Sequence, residues 1–285
     1  MEKENIAVIG YGYVGKAVTS FFAGRFHVII YDPYLKNPHV EGVEDGTADF
    51  TTDKDKVNEC GLAVICVSTP MSPDGSVDTS SVEEAVGWLK TPLILCKSTV
   101  PPGTIKRLSE KTGKNIAFSP EYIGEGKYVV QWWKDKGYPH PTDMKYHDFQ
   151  IVGGKREITG KILEYFKRVL GPGPHYLQTD STTAELVKYM ENSWHAMKVT
   201  FCNEFYDIAN AFGVDYEELR ELFLMDGRME RSHTLVFENK RGFVGKCLPK
   251  DITGLVEASE RAGYTPKLLK QMLSLNKEFT KKNEK

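Results

Sequence analysis

The sequence predicts an α/β protein in which a doubly wound, mainly parallel sheet over residues 1–180 is followed by an all-helical domain over residues 181–285. Two observations lead to this prediction. Short apolar runs alternate with helical stretches through the first half of the chain, which is the pattern of a parallel sheet with helices on both faces. Beyond about residue 155 the pattern is helical only, and it includes one helix of about 30 residues.

Runs of apolar and β-branched residues predict six strands, and helical stretches lie between them. The runs are 5–9, 27–31, 62–67, 92–96, 116–119 and 149–152, and the helices between them include 80–89 and 104–111. One segment departs from this alternation. Residues 127–148 are rich in aromatic residues, Lys, Pro and Asp, so we interpret them as an inserted surface loop.

Composition narrows the class of protein. The 37 basic and 39 acidic residues leave a net charge of -2, which argues against a nucleic-acid binder that works through bulk charge. No apolar run approaches the length of a membrane span, and the first ten residues lack the pattern of a signal peptide. Five cysteines, with Cys66 and Cys96 inside apolar runs, argue against a disulfide scaffold. We therefore expect a cytoplasmic protein.

A long helix is predicted to begin at Thr182, where Glu185 three positions later indicates a capping box, and to end at Gly213. Its apolar residues are expected to spread around much of the helix, and they are Leu186, Met190, Trp194, Met197, Phe201, Phe205 and Ile208. A helix that is apolar on several sides should be buried against more than one neighbour. We expect one neighbour to be the same helix of a second subunit, which predicts a homodimer through residues 182–212.

A glycine-rich turn, GYGYVG at residues 10–15, joins the first predicted strand to the following helix, and Asp32 ends the second strand. This context is the fingerprint of a Rossmann-like dinucleotide-binding fold. Gly10 permits the tight turn, Gly12 lets backbone amides approach a pyrophosphate, and Gly15 lets the helix pack against the strand. The Asp32 carboxylate would accept hydrogen bonds from ribose hydroxyls and repel a 2′-phosphate, which predicts NAD rather than NADP. The predicted cofactor contacts here are Gly10, Gly12, Tyr13, Val14, Gly15 and Asp32.

Lys188 and Asn192 lie four residues apart, on one face of the long predicted helix. An amine and an amide that converge on one spot suit polarisation of a substrate hydroxyl or proton exchange with it. A Lys–Asn pair more often belongs to a solvated face, but the middle of an apolar helix is a costly place for a lone charge. We therefore hypothesise that this pair contributes to a catalytic site.

Cys247 lies in a second unusual stretch, GKCLPKD at residues 245–251. Lys246 and Lys250 flank the cysteine and Asp251 follows it, and nearby positive charge stabilises a nucleophilic thiolate. Most lone cysteines are inert, small hydrophobic residues, and for Cys247 considered alone that interpretation stays open. It is the preferred one for the other four cysteines, which are Cys60, Cys66, Cys96 and Cys202.

Six motifs, in the same order along the chain, resemble those of the nucleotide-sugar 6-dehydrogenase family, which acts on UDP-glucose and GDP-mannose. They are the glycine turn, VSTP at 67–70, KSTVPPGT at 97–104, SPEYIGEG at 119–126, AELVKY at 184–189 followed by Asn192, and GFVGKCLPKD at 242–251. Together they cover almost the whole chain. The resemblance implies NAD as cofactor and a four-electron reaction, in which a sugar 6-hydroxymethyl group becomes a carboxylate while two NAD are reduced.

The resemblance also implies roles for individual residues. Cys247 corresponds to the nucleophile that captures the aldehyde as a thiohemiacetal, which hydride loss converts to a thioester that water hydrolyses. Lys188 and Asn192 correspond to groups that stabilise the oxyanion and hold the sugar. The remaining catalytic candidates, which position water or transfer protons, are Asp251, Thr99 and Glu121.

Further binding residues follow from the same resemblance, which implies no metal. The additional NAD contacts are Thr69, Thr99, Glu125 and Lys250. The implied substrate contacts are Glu121, Tyr122, Ile123, Lys188, Asn192, Phe243 and Gly245. In the family an arginine reaches the neighbouring subunit's site. Arg228 is the best match to that arginine, and Arg231 is its rival.

Three departures from the family pattern limit these expectations. Family members continue into a third, C-terminal domain that covers the nucleotide, whereas this sequence ends at Lys285, so we expect the nucleotide pocket to lack one wall. Val244 stands where the family has a glycine. Lys246 replaces a small or aromatic residue, and it either favours the Cys247 thiolate, binds a phosphate or points to solvent. The segment 127–148 is longer than its counterpart, and we hypothesise that it supplies part of the missing cover.

Three interpretations remain open. In the first, the protein is a short nucleotide-sugar 6-dehydrogenase, with UDP-glucose as the first candidate substrate. In the second, it is a two-electron alcohol dehydrogenase of the β-hydroxyacid type, which stops after one hydride, and Cys247 is incidental. In the third, it is a non-catalytic NAD-binding partner protein. Counting NADH per substrate separates them, because they predict two, one and zero.

Overall fold

The computed structural model describes residues 4–35, 46–123 and 144–284, and their contacts form two compact units. The first unit contains the described residues up to Pro70 together with those of 78–188. The second contains Met71–Val77 and the described residues from Tyr189 onward. Most of the predicted insertion at 127–148 lies outside the described residues. The domain boundary that we predict at residue 180 stays a prediction.

The first unit is built around a sheet of eight described strands. They are β1 Asn5–Ile9, β2 His27–Tyr31, β3 Ala48–Thr51, β4 Leu62–Ile65, β5 Leu93–Cys96, β6 Ile116–Phe118, β7 Phe149–Gly153 and β8 His175–Thr179. In space they follow the order β3-β2-β1-β4-β5-β6-β7-β8, with parallel pairing except between β6 and β7. The first six positions have the strand order of a dinucleotide-binding sheet, so the predicted fold class is confirmed.

Helices of this unit pack on both faces of the sheet. They are α1 Tyr13–Ala23, α2 Lys54–Asn58, α3 Ser80–Trp88, α4 Thr104–Thr112 and α5 Arg156–Leu170. One apolar core joins Ile6 and Val8 of β1 to residues of α1 and α5. A second core joins Ala7 and Ile9 to residues of α2, α3 and α4. Successive β1 side chains thus point to opposite faces that are both buried, which explains why the strands read as continuous apolar runs.

The sequence does not predict two of these strands, β3 and β8. The expectation that only helices follow residue 155 is therefore wrong at His175–Thr179. Both strands lie at the edges of the sheet, and most β8 residues are exposed. An edge strand packs against fewer neighbours, so it needs fewer apolar side chains and leaves a weak signal in the sequence.

The second unit is helical. It contains α6 Ser181–Ala211 from Tyr189 onward, α7 Tyr216–Phe223, α8 Cys247–Arg261 and α9 Lys267–Lys281. One apolar cluster is formed by Ala196, Phe243, Ile252 and Met272, and another by Cys202, Ala209 and Tyr216. Across the described parts of both units, no helix combines the length and the hydropathy that crossing a bilayer requires.

The segment Met71–Val77 belongs to the second unit, although its neighbours in the chain belong to the first. Met71 and Val77 pair in an isolated β-bridge. The segment packs on α8, where a Cβ at Gly254 would lie 2.5 Å from Cγ2 of Val77. Glycine at position 254 therefore allows this close contact.

The apolar residues of α6 lie on one face, and the expectation that they spread around the helix is wrong. At roughly 100° per residue, the seven predicted residues fall within an arc of about 100°. Six of them are at least 37% exposed in the single chain, namely Leu186, Met190, Trp194, Phe201, Phe205 and Ile208. We call these six residues the apolar stripe. The opposite face carries the buried polar residues Glu185, Lys188, Asn192 and Asn203.

The start of α6 also differs from the predicted capping box. The Asp180 carboxylate accepts from the amide of Thr183 at 2.9 Å and from its hydroxyl at 2.6 Å. Glu185 instead accepts hydrogen bonds from the amides of Gly103 and Ile105. A tertiary contact thus takes the carboxylate that the sequence pattern assigns to the helix's own first turn.

Candidate functional site

The turn after β1 requires glycine at two positions. Gly10 has φ +88°, and a Cβ there would lie 2.9 Å from the carbonyl oxygen of Cys66. A Cβ at Gly15 would lie 2.0 Å from the carbonyl oxygen of Gly10, so only glycine lets α1 pack this closely against β1. Gly12 differs, because among the described residues nothing except its own chain neighbours lies within 4 Å of the position of a Cβ there. Packing inside the described chain therefore does not explain the glycine at position 12.

Asp32 follows the carboxyl end of β2 and contacts the glycine turn. One of its carboxylate oxygens accepts from the amide of Tyr11 at 2.8 Å, and the other accepts from the amide of Tyr34 at 3.0 Å. Tyr13 and Val14 are the first two residues of α1, so their amides belong to the positive end of that helix. The predicted cofactor contacts of this region therefore lie together at the carboxyl ends of β1 and β2.

Thr69 and Thr99 are brought together after β4 and β5. The Thr69 hydroxyl donates to the carbonyl oxygen of Thr99 at 2.8 Å, and its side chain is buried. Ser98 strengthens the same connection, because its hydroxyl donates to the carbonyl oxygen of Val67 at 2.7 Å. Side-chain bonds thus join the loops that follow two neighbouring parallel strands, which is where open α/β sheets bind their ligands.

A cluster of buried charges lies beyond the carboxyl ends of β5 and β6. The Lys188 ammonium is 3.7 Å from a Glu121 carboxylate oxygen, and the two side chains are only 9% and 13% exposed. The other Glu121 oxygen accepts a hydrogen bond from the amide of Ile123. The Lys188 ammonium also lies 5.9 Å from the centre of the Tyr122 ring, within the range of a cation–π interaction. Four predicted substrate contacts therefore meet in one place, whereas Glu125 lies outside the described residues.

Glu185 lies one helical turn before Lys188 and ties α6 to α4. It is fully buried, and its carboxylate oxygens are 2.5 Å from the Gly103 amide and 2.8 Å from the Ile105 amide. These amides belong to the start of α4, where main-chain donors have no partner within the helix. Desolvation raises the pKa of Glu185 to about 7, while the two amide bonds act in the opposite direction.

Replacement of Glu185 by alanine should destabilise the first unit. Both amides would lose a buried acceptor, so we expect the free energy of unfolding to fall by about 1–3 kcal/mol in chemical denaturation. Glu83→Ala is the matched control. Its carboxylate pairs with Arg107 at a surface site, so its removal should change stability by less than about 1 kcal/mol. Equal losses in both variants would contradict the capping role.

In the second unit, Asn192, Asp251 and Lys250 form one polar group. The Asn192 side-chain amide donates to one Asp251 oxygen at 2.6 Å, and the Lys250 ammonium lies 2.6 Å from the other. Asn192 and Asp251 are buried. A buried carboxylate needs partners for its oxygens, and here one oxygen accepts a hydrogen bond from Asn192 while the other forms an ion pair with Lys250.

Cys247 is the first residue of α8, and it differs from the other four cysteines in being partly exposed. It lies at the positive end of the helix, with Lys246 before it in the chain and Lys250 one turn later, and this setting favours a thiolate. By contrast, burial raises the pKa of Cys60 to about 11 and that of Cys66 to about 12. Burial also raises the pKa of Cys96 and Cys202.

The segment before Cys247 is fixed by buried polar groups. The Phe243 amide donates to Asn276 at 2.7 Å, and the Asn276 side-chain amide donates back to the Phe243 carbonyl at 2.9 Å. The Arg241 guanidinium donates to Asn203 at 2.7 Å. Gly245 follows with φ +93°, a conformation that favours glycine. The predicted substrate contacts Phe243 and Gly245 therefore lie in an anchored segment.

The two arginine candidates lie elsewhere on the second unit. The Arg228 side chain is 84% exposed and pairs with Asp226, two residues away. Arg231 pairs with Glu221 of α7 and is 29% exposed. In the single chain neither is brought to Asp251 or Cys247 by a contact within the described residues. The choice between them stays a prediction.

Two groups in this region lie within the predicted motifs but are not among the predicted site residues. Lys97 is buried at the end of β5 and donates to Ser119 and Pro120, and Glu185 is described above. Lys97 could have been found from the sequence, because a lysine that directly follows a buried strand needs partners for its charge. Asn276, which pairs with the backbone of Phe243, has no comparable signal in the sequence.

The fold and the glycine turn define a dinucleotide-binding protein. A left-handed glycine, a helix packed against its strand through a second glycine, and an acid at the end of β2 are typical of a site that binds NAD. Gly12 and the amides of Tyr13 and Val14 would hold the pyrophosphate, and Asp32 would hold the ribose.

Two family models match the chain. Residues 24–137 match the NAD binding domain of the UDP-glucose/GDP-mannose dehydrogenase family, and residues 182–278 match its central domain. Together these matches span more than half of the chain. The protein therefore belongs to the UDP-glucose/GDP-mannose dehydrogenase family, and the cofactor of its first domain is NAD.

Similar proteins support this assignment. The chain is 29% identical over 289 residues to GDP-mannose 6-dehydrogenase of Azotobacter vinelandii, covering 88% of this chain and 63% of that protein. A UDP-glucose dehydrogenase structure from Pyrobaculum islandicum superimposes with TM-score 0.77 at 26% identity, covering 97% of this chain and 68% of that one. The chain thus spans about two thirds of the length of these relatives. The 3-hydroxyisobutyrate dehydrogenase of Mycobacterium tuberculosis shares the fold alone, with TM-score 0.66 at 15% identity over 98% of this chain and 94% of that one.

Proposed function

We propose that the protein is an NAD-dependent nucleotide-sugar 6-dehydrogenase that oxidises the 6-hydroxymethyl group of its substrate to a carboxylate. The observation that carries this proposal is the partly exposed Cys247 at the start of α8, next to Lys246 and one turn from Lys250. Family membership supports the reaction class. UDP-glucose, oxidised to UDP-glucuronate, is the proposed substrate because UDP-glucose dehydrogenases are among the similar proteins. GDP-mannose is the alternative, from the GDP-mannose 6-dehydrogenases.

The chemistry that NAD supplies when bound is acceptance of hydride from C6 of the sugar. In the proposed sequence, the Cys247 thiolate attacks the aldehyde carbon and forms the carbon–sulfur bond of a thiohemiacetal. After the second oxidation this bond belongs to a thioester, and water breaks it to release the carboxylate and the thiolate. The positive end of α8 favours the thiolate both as nucleophile and as leaving group.

Four side chains are assigned to the oxygen and proton chemistry. Lys188 and Asn192 donate to the oxyanion that develops at C6, and Glu121 and Asp251 position water or transfer protons. The Lys188–Glu121 ion pair and the Asn192–Asp251 hydrogen bond support this assignment, because each donor is held beside an acid. A donor fixed before the reaction needs no reorganisation as charge develops.

Further predicted residues are assigned to the two ligands. Thr69, Thr99 and Lys250 are assigned to NAD, and Phe243 and Gly245 to the substrate. Arg228, supplied from a second subunit, is assigned to the substrate because a side chain so exposed in the single chain is available to another copy. A cytoplasmic location is part of the same proposal.

Stoichiometry tests the proposed function. Purified protein should be incubated with NAD and a panel of UDP- and GDP-sugars, and NADH should be counted per substrate consumed. Two NADH and a carboxylate product are expected. One NADH with an aldehyde or ketone product would favour a two-electron alcohol dehydrogenase, and no NADH with any sugar would favour a non-catalytic NAD-binding protein.

The apolar stripe on α6 supports the proposal of a homodimer. Its members run from Leu186 to Ile208, which is about 33 Å of helix at 1.5 Å per residue. Apolar residues that extend along one exposed helix face in this way are typical of interfaces. A second copy of the same helix would cover the stripe, since closed two-fold pairing is the commonest arrangement of identical chains.

Replacement of Trp194 by glutamate should convert the dimer to a monomer. A charge in the middle of the apolar stripe would be buried without a partner, so we expect the dissociation constant to rise at least about 100-fold. Analytical ultracentrifugation measures it. Tyr264→Glu is the control, since Tyr264 is 68% exposed and outside the stripe. A monomeric wild-type protein, or a Trp194→Glu variant that remains dimeric, would contradict the interface.

A further inference from the structure

Lys97 is a buried cation to which the proposed reaction assigns no role. It directly follows β5, and only 4% of its surface is exposed. Lysine is almost never buried to this extent unless its ammonium is paired, because removal of a charge from water is strongly unfavourable. The position therefore requires specific partners.

Those partners lie in the segment that follows the neighbouring strand, β6. The Lys97 ammonium donates to the Ser119 hydroxyl and to the Pro120 carbonyl oxygen, both at 3.1 Å. The next residue is Glu121, which the proposed function places among the catalytic groups. The ammonium thus bridges the carboxyl ends of β5 and β6 at the point where the chain turns toward Glu121.

The charges around Lys97 belong to the same candidate site. The Glu121 carboxylate raises the pKa of Lys97, and the Lys188 ammonium lowers it, so both act on this ammonium through space. The other titratable groups that act on it are the thiols of Cys66 and Cys96, from the ends of β4 and β5. Burial is the largest influence and lowers the pKa of Lys97 to about 8. With this pKa we expect the Lys97 ammonium to be mostly charged at pH 7 and half deprotonated near pH 8.

We propose that Lys97 is a positioning residue, whose ammonium fixes the Ser119–Pro120 segment and whose charge keeps the Glu121–Lys188 pair in its working arrangement. The reaction in which that pair acts rests on the proposed function. The arrangement itself rests on the hydrogen bonds of Lys97 and on the ion pair, which exist whatever the substrate is.

Kinetics of two Lys97 variants test the positioning role. Lys97→Met removes the donors and the charge, so we expect kcat to fall about 10- to 100-fold while the KM for NAD changes less than about threefold. Lys97→Arg keeps a charge that does not titrate, so it should retain most of kcat. It should also move the alkaline decline of kcat/KM, expected near pH 8 in the wild type, upward by at least about one pH unit.

Lys114→Met is the matched control for lost main-chain contacts. The Lys114 ammonium donates to two main-chain carbonyl oxygens, those of Val86 and Gly87. Lys114 precedes β6, however, so it lies at the amino ends of the strands and not at the carboxyl ends, where Lys97 lies. Its loss should affect stability without changing kcat or the pH profile. The proposal would be overturned if Lys97→Met kept the kcat of the wild type. It would also be overturned if Lys97→Met behaved like Lys114→Met, with a loss of stability and an unchanged pH profile.

A titration by NMR decides the proposal even if no nucleotide-sugar is oxidised. Protein labelled with ¹³C at lysine should show Lys97 titrating near pH 8, and Glu121→Gln should lower its midpoint by at least about half a pH unit. Lys188→Met should raise the midpoint. Unchanged midpoints in both variants would overturn the coupling of Lys97 to the pair. Shifted midpoints in a protein that reduces no NAD would support the arrangement while the proposed function fails.

Discussion

Replacement of Cys247 by serine should abolish carboxylate formation. A serine hydroxyl is far less ionised than a thiol, so it should neither capture the aldehyde efficiently nor leave readily as water attacks. We expect acid formation to fall at least about 1000-fold, with at most one NADH per substrate and an aldehyde-level or covalent species accumulating. Product analysis by mass spectrometry, combined with NADH counting, measures both effects.

Cys202→Ala is the control for the loss of a thiol in the same unit. Cys202 is buried in the cluster with Ala209 and Tyr216, and burial raises the pKa of its thiol. This variant should therefore keep both oxidation steps. Full carboxylate production by Cys247→Ser would exclude the thiohemiacetal route.

Replacement of Gly15 by alanine should unfold or strongly destabilise the first unit. The added Cβ would lie 2.0 Å from the Gly10 carbonyl oxygen, which belongs to the backbone and has little room to move. We expect the free energy of unfolding to fall by more than about 3 kcal/mol, because α1 must shift from the sheet. Thermal and chemical denaturation measure this loss.

Replacement of Gly12 by alanine separates ligand binding from folding. Among the described residues, only the chain neighbours of Gly12 lie within 4 Å of a Cβ built there, so the stability should change by no more than about 1 kcal/mol. The affinity for NAD should nevertheless fall at least about tenfold in calorimetry, because the methyl group would separate the main-chain amides from the pyrophosphate. If Gly12→Ala binds NAD as tightly as the wild type does, the assigned pyrophosphate site is wrong.

The central part of the fold follows from the sequence because burial on two faces leaves a strong pattern. β1, β2, β4 and β5 are continuous apolar runs, and the structure confirms them with small changes at their ends. The edge strands β3 and β8 are missed because a strand that packs on one neighbour contains polar residues at many positions. The parallel arrangement follows from the alternation of strands and helices, whereas the reversal at β7 has no local sequence signal.

The arrangement of the apolar residues of α6 is a different kind of error. Leu186, Met190 and Trp194 repeat at intervals of four, which places them on one helix face and not around it. The spacing was sufficient to predict this face. Periodicity indicates that a face is apolar, but it does not indicate whether the cover comes from the same chain.

The residues of the candidate site can be predicted where they belong to motifs, but the contacts between motifs cannot. The Asn192–Asp251 hydrogen bond joins residues 59 positions apart, and both were predicted from their motifs. The bonds from Lys97 to Ser119 and Pro120 join two motifs as well, but the sequence does not indicate that they meet. That requires the order of β5 and β6 in the sheet, which the sheet topology supplies.

The excursion Met71–Val77 makes the chain pass between the two units more than once. The chain enters the second unit after Pro70, returns at Asp78, and enters again after Lys188. A fragment ending near residue 180 would carry Val77 without its contact at Gly254, and the complementary fragment would lack residues 71–77 altogether. We therefore expect that neither fragment folds stably on its own. We also expect that protease cleavage within 71–77 leaves the two parts of the chain associated.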